Sequence, residues 1–128
     1  MTKIPTDMAR GCTLLQNVEI PESVTTICSG AFQDCINLSN VILPSSVEAL
    51  GSGSFGEIFK GAFEGCKALK SIQFGPNLRM LSECEFFGSG LESVHIPETL
   101  TIYREGLCFG MCSDLETITV AENHPLYD

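Results

Sequence analysis

Apolar residues recur along this chain at a fixed long interval, not at the spacing of a helix. Cys12, Leu15, Val18, Ile20 and Pro21 stand 23 residues before Cys35, Leu38, Val41, Leu43 and Pro44. The series returns as Cys66, Leu69, Ile72, Phe74 and Pro76, then as Leu91, Val94, Ile96 and Pro97, then as Cys112, Leu115, Ile118 and Val120. A period in the twenties marks stacked units, each burying its apolar positions only against its neighbours. Within a unit, Leu15-Gln16-Asn17-Val18-Glu19-Ile20 ends in alternation and β-branched residues, which predicts a short strand stopped by Pro21. Val24 and Ile27, matched by Val47 and Leu50, predict a second extended piece on the other side of the coil. Ser29-Gly30-Ala31-Phe32 predicts a turn, with a single helical turn over 31–36. The expectation is about five repeats, near 4–20, 21–43, 44–74, 75–96 and 97–120, followed by a tail over 121–128.

The rhythm fails in one place. Val47 to Cys66 is 19 residues, against 11 from Val24 to Cys35, so eight residues are inserted near 54–61. Phe55 keeps the upstream spacing and Phe63 the downstream one. Gly61-Ala62-Phe63 repeats Gly30-Ala31-Phe32, which assigns the core slot to Phe63 and leaves Phe55 on a bulging loop. The fourth unit is one residue short, with Phe86 near the Phe slot and Gly88 near the Cys slot.

The segments Leu38-x-x-Val41-x-Leu43-Pro44-x-x-Val47 and Val24-x-x-Ile27-x-x-x-Ala31-Phe32-x-x-Cys35 resemble the unit LxxLxLPxxLxxIxxxAFxxCxx of BspA-like, or Treponema-type, leucine-rich repeats. The resemblance runs over nearly the whole chain. It implies a leucine-rich-repeat solenoid of short parallel β-strands, with loops and single helical turns on the other side. The LxxLxL segments would line one face, with the side chains between their anchors pointing outward. Those side chains form three columns: Gln16, Ser39, Lys70, Glu92 and Glu116; Asn17, Asn40, Ser71, Ser93 and Thr117; and Glu19, Ile42, Gln73, His95 and Thr119. The resemblance further implies a non-enzymatic adhesion or binding module at the cell surface, with a host or matrix protein as partner. The tail resembles the point where such arrays pass into another unit, which implies a longer protein. A structural or assembly segment is the alternative, since the apolar ends of an array favour self-association.

Composition narrows the chemistry. Sixteen acids against seven bases give a net charge of −9, which repels phosphate backbones and argues against nucleic acid. No run approaches the roughly 18 apolar residues of a membrane span. Met1 to Asp7 lacks the apolar stretch of a secretory signal, which fits an intracellular chain or one whose leader is removed. Cys12, Cys35, Cys66 and Cys112 share one repeat position, as expected of a column of small buried thiols. No CxxC pair exists, and no metal or cofactor site is expected.

The insert is similar to the glycine-rich loop of protein kinases, GxGxFG, over Gly51-Ser52-Gly53-Ser54-Phe55-Gly56. That similarity makes nucleotide binding by 51–56 the remote alternative. The chain has no HRD or DFG triplet, and Leu69 and Ile72, flanking Lys70, already belong to the repeat register. A permissive Gly/Ser loop accounts for the same residues. Glu83 and Glu85 lie near each other in a turn with no cleft to enclose them, so a solvated rim is expected there, and no catalytic set is assigned.

Overall fold

The structure, a computed structural model, describes residues 1–52, 61–82, 84–103 and 108–125. Among the described residues nine short strands follow one another: β1 (Lys3–Ile4), β2 (Asn17–Glu19), β3 (Thr26–Cys28), β4 (Asn40–Ile42), β5 (Ala49–Ser52), β6 (Met80–Leu81), β7 (Ser93–Ile96), β8 (Ile102–Tyr103) and β9 (Thr117–Val120). Every pairing is parallel. The chain winds into a β-solenoid of about four turns, fewer than the five repeats expected. Among the described residues no helix is long and apolar enough to cross a membrane.

The continuous sheet lies on the side where only a second extended piece was expected. It has five strands in the order β1-β3-β5-β6-β8. The LxxLxL side instead carries two separate ladders, β2-β4 and β7-β9. The third LxxLxL segment, over 69–74, is not a strand.

The core is a set of columns running through the turns. Leu38, Leu69 and Leu91 are fully buried, as are Val24, Ile27 and Leu50. Phe63 fills its slot with no exposure, stacked between Phe32 at 5.5 Å and Phe86 at 5.9 Å, and Phe86 stacks in turn on Phe109 at 5.7 Å. Such ring pairs add about 0.5–1.5 kcal/mol each beyond the area they bury. Phe55 lies outside the described residues, as does most of the kinase-like loop 51–56; Gly51 and Ser52 end strand β5.

The single helical turn expected over 31–36 does not form, and the hydrogen bonds explain why. Ala31, Gln33 and Cys35 donate locally, to the carbonyls of Cys28, Gly30 and Phe32. Phe32 and Asp34 donate across to Ala62 and Glu64 in the next turn. With alternate amides spent on the neighbour, neither a helix nor a strand can propagate. The connection is a run of β-turns, and it requires left-handed backbone at one repeat position, filled by Gly11, Asp34, Gly65, Gly88 and Met111 with φ from 55° to 75°.

The thiol column has a specific role. The S–H groups of Cys35, Cys66 and Cys112 donate to the carbonyls of Ala9, Phe32 and Phe86 at 3.1, 3.2 and 3.0 Å. Each ties the aromatic slot of one turn to the Cys slot of the next. In the fourth unit the slot belongs to Ser89, not Gly88: Ser89 is buried and its hydroxyl meets the Cys112 sulfur at 3.4 Å. Cys12, in the first described turn, departs from the expected burial and is exposed. Burial pushes the Cys66 thiol well above its ordinary value.

Candidate functional site

The candidate site is the LxxLxL face. Val18 and Val41 turn inward, and their neighbours are left outside by the pleat. Register then sets the columns: Asn17 pairs Asn40 and Glu19 pairs Ile42 in one ladder, while Ser93 pairs Thr117 and His95 pairs Thr119 in the other. All fifteen residues assigned to this face are exposed, including Gln16, Ser39, Lys70, Ser71, Gln73, Glu92 and Glu116. Neighbouring units are tied by backbone bonds, with Ser39 and Asn40 donating to Gln16, Glu92 to Lys70, and Glu116 to Glu92.

The polar groups of the face are lightly engaged. His95 Nδ1 lies 2.7 Å from Thr119 Oγ1. Lys70 Nζ is 3.7 Å from Asp114 Oδ2, both about half exposed, a pair of the kind that contributes little to stability. Among the fifteen residues three glutamates stand against one lysine, so the face is mildly acidic.

Its middle is broken. Among the described residues no hydrogen bond joins β4 to the segment Ser71–Gly75. The proline that follows the strand at Pro44 is displaced by one position to Pro76, and Gly75 takes its place. A Cβ at Gly75 would sit 3.2 Å from Ser45 Cα, so the two turns touch at that end. Between them lies an open depression of about 460 Å³ lined by Ser39 to Leu43 and Ser71 to Gly75. A second, of about 500 Å³, lies on the other side of β4 and includes Glu19, Glu22 and Ser45. Ile42 and Leu43 belong to both.

Glu85 departs from the solvated rim expected of it; its exposure is 0%. Its Oε1 accepts from the Ala62 N–H at 3.0 Å and its Oε2 from the Ser82 hydroxyl at 2.9 Å. Burial raises its carboxyl to about 8, against the pull of those two hydrogen bonds, and the charge of Glu64 adds to the rise. The signal was present in the register: Glu85 precedes Phe86 as Ala31 precedes Phe32 and Ala62 precedes Phe63. Glu83 lies outside the described residues. The tail hid a similar case. His124 takes the slot of Val24, Val47 and Leu100, is 4% exposed, and its Nε2 meets the Leu100 carbonyl.

The profile of the BspA-type leucine-rich repeat region, in six copies, matches residues 2–60 and 55–126. No curated protein matches significantly. Among solved structures, a leucine-rich cell-surface protein of Faecalibacterium prausnitzii A2-165 superposes with a TM-score of 0.82 at 29% identity, over 94% of this chain and 30% of its own. A leucine-rich-repeat protein of Bacteroides ovatus gives 0.78 at 29% identity, over 93% and 29%. The leucine-rich-repeat protein of T. pallidum gives 0.81 at 27% identity, over 92% and 51%. The chain thus spans between three tenths and half the length of these structures.

Proposed function

The chain belongs to the BspA-type leucine-rich-repeat family, and from that premise we propose a non-enzymatic binding module of the cell surface that recognises a protein of host or matrix type on its LxxLxL face. The observation that carries this is the exposure of all fifteen side chains between the apolar anchors, set in three columns by the strand register. A shallow polar face suits an extended protein surface; a small molecule wants a concave, mostly apolar pocket. The description of the F. prausnitzii neighbour as a cell-surface protein supports the location.

Immobilised matrix proteins provide the test. The chain is expected to bind at least one of them. A triple variant, Lys70→Ala with Glu92→Ala and His95→Ala, weakens that binding about tenfold or more, while stability stays within about 0.5 kcal/mol, as surface substitutions do. Equal binding by the triple variant removes the face from consideration. A second reading, a segment that assembles into larger structures, is favoured by the exposure of Ile118 (52%) and Val120 (39%) at the last turn.

A further inference from the structure

The two depressions that flank β4 differ in chemistry, and the difference specifies a ligand. One is rimmed by Glu19 and Glu22, both exposed. The other has no charged residue in its lining; it offers the Ser39, Asn40, Ser71 and Gln73 side chains and main chain left unpaired by the break between β4 and Ser71–Gly75. In a parallel ladder, alternate residues of a strand direct their main-chain groups to opposite neighbours. Asn40 donates to Gln16, and Ile42 accepts from Ile20, so both face the first unit. Val41 and Leu43 therefore direct their peptide groups toward the third unit, where the ladder is absent. Between the depressions stands Ile42, 53% exposed and an apolar member of otherwise polar columns. An exposed aliphatic ridge between two hydrogen-bonding hollows is the arrangement of an anchor with a rim.

We propose that β4 is the specificity centre of the face, and that it takes a protein segment carrying a basic side chain and an amide or hydroxyl side chain on either side of an apolar contact. The basic group enters the Glu19–Glu22 hollow. The amide or hydroxyl group pairs with the open main chain and side chains of the 39–43 and 71–75 hollow. The apolar part lies on Ile42. Charge complementarity selects the basic partner: the acids of this hollow have no Lys or Arg in its lining, and the chain as a whole is at −9. The proposal rests on the face reading above, but on its N-terminal half, whereas the triple variant probes the C-terminal half.

A displayed library of random short peptides, selected on the folded chain, tests it. Selection is expected to enrich peptides with Lys or Arg next to an apolar residue and Asn, Gln, Ser or Thr. Their affinity is expected to fall about tenfold or more on Glu19→Lys with Glu22→Lys, and again on Ile42→Asp. Circular dichroism checks that the variants fold, which their exposed positions favour. No enrichment, enrichment without a basic residue, or binding indifferent to these substitutions overturns the proposal. Matrix binding lost in the Lys70, Glu92 and His95 variant but kept in the β4 variants leaves the face reading standing and removes this one. Peptides selected as expected, with no matrix protein bound, do the reverse.

Discussion

A single buried carboxyl shows how far the environment of one residue can depart from its kind. Glu85 occupies a slot that alanine fills in the two preceding turns. It is tolerated because its oxygens take the Ala62 N–H, left over where the insert returns to the register, and the Ser82 hydroxyl. An unpaired buried carboxylate would be far more costly. Gly51 must lack a side chain for the same reason, since a Cβ there would overlap Ser82 Oγ and Glu85 Oε2. The titration follows with a definite sign. The folded value, about 8, lies above the ordinary 4.5, so the fold favours the protonated form. That contribution is fully present below 4.5 and is lost as pH rises through about 8. Glu64, whose carboxyl accepts from the Gly61 N–H and is also raised by burial, acts in the same direction. Thermal midpoints measured across this window should fall with pH, and Glu85→Gln, which keeps an acceptor for Ala62, should flatten the fall. An identical slope in the variant would show that Glu85 does not control it.

At the scale of elements, apolar spacing located the strands well and their pairing poorly. Strands form in the two segments expected, at Asn17–Glu19 and Thr26–Cys28, since alternation and β-branching act locally. That the second side carries the continuous sheet was not legible, because ladder formation depends on the spacing of whole turns. The insert and the shifted proline leave the third LxxLxL segment out of register for pairing, while the five-stranded sheet closes across the same junction through Ala49–Met80 and Leu50–Leu81. Hydrogen exchange reads the difference directly. The slowest amide within Ser71–Phe74 is expected to exchange faster than the slowest within β7, which is paired to β9. Equal protection would mean that the ladder closes there in solution.

At the scale of the molecule the array is quasi-one-dimensional, so its ends differ from its middle. Inward-facing residues of one column make the point: Ile72 and Val94 are buried, whereas Ile118 in the last turn is not. Among the described residues β9 pairs on one side, with β7, and the exposed Ile118 and Val120 form the surface on which the assembly reading depends. Light scattering over rising concentration should then show a growing mean mass, suppressed by Ile118→Lys with Val120→Lys. A constant monomer mass, or growth untouched by the substitutions, sinks that reading. The β-turn side of the coil is tied from the second unit onward by the Phe32–Phe63–Phe86–Phe109 stack, in which Phe63 was assigned from the match of Gly61-Ala62-Phe63 to Gly30-Ala31-Phe32.

The period of 23 residues and its columns of Leu, Val, Ile, Phe and Cys determined the solenoid, the outward face and the core slot of Phe63, because burial in a stacked array is a property of position within the repeat. Burial of Glu85 and His124 was also written in that register, though their polar side chains concealed it. Only the tertiary structure decided which side carries the unbroken sheet, that alternate amides of the turn segment bond to the next coil and exclude a helix, and that β4, paired to β2 on one side only, lies between two hollows. Those features depend on hydrogen bonds between residues about 23 to 31 positions apart, and their closure is set by the geometry of adjacent turns and not by the sequence of either one.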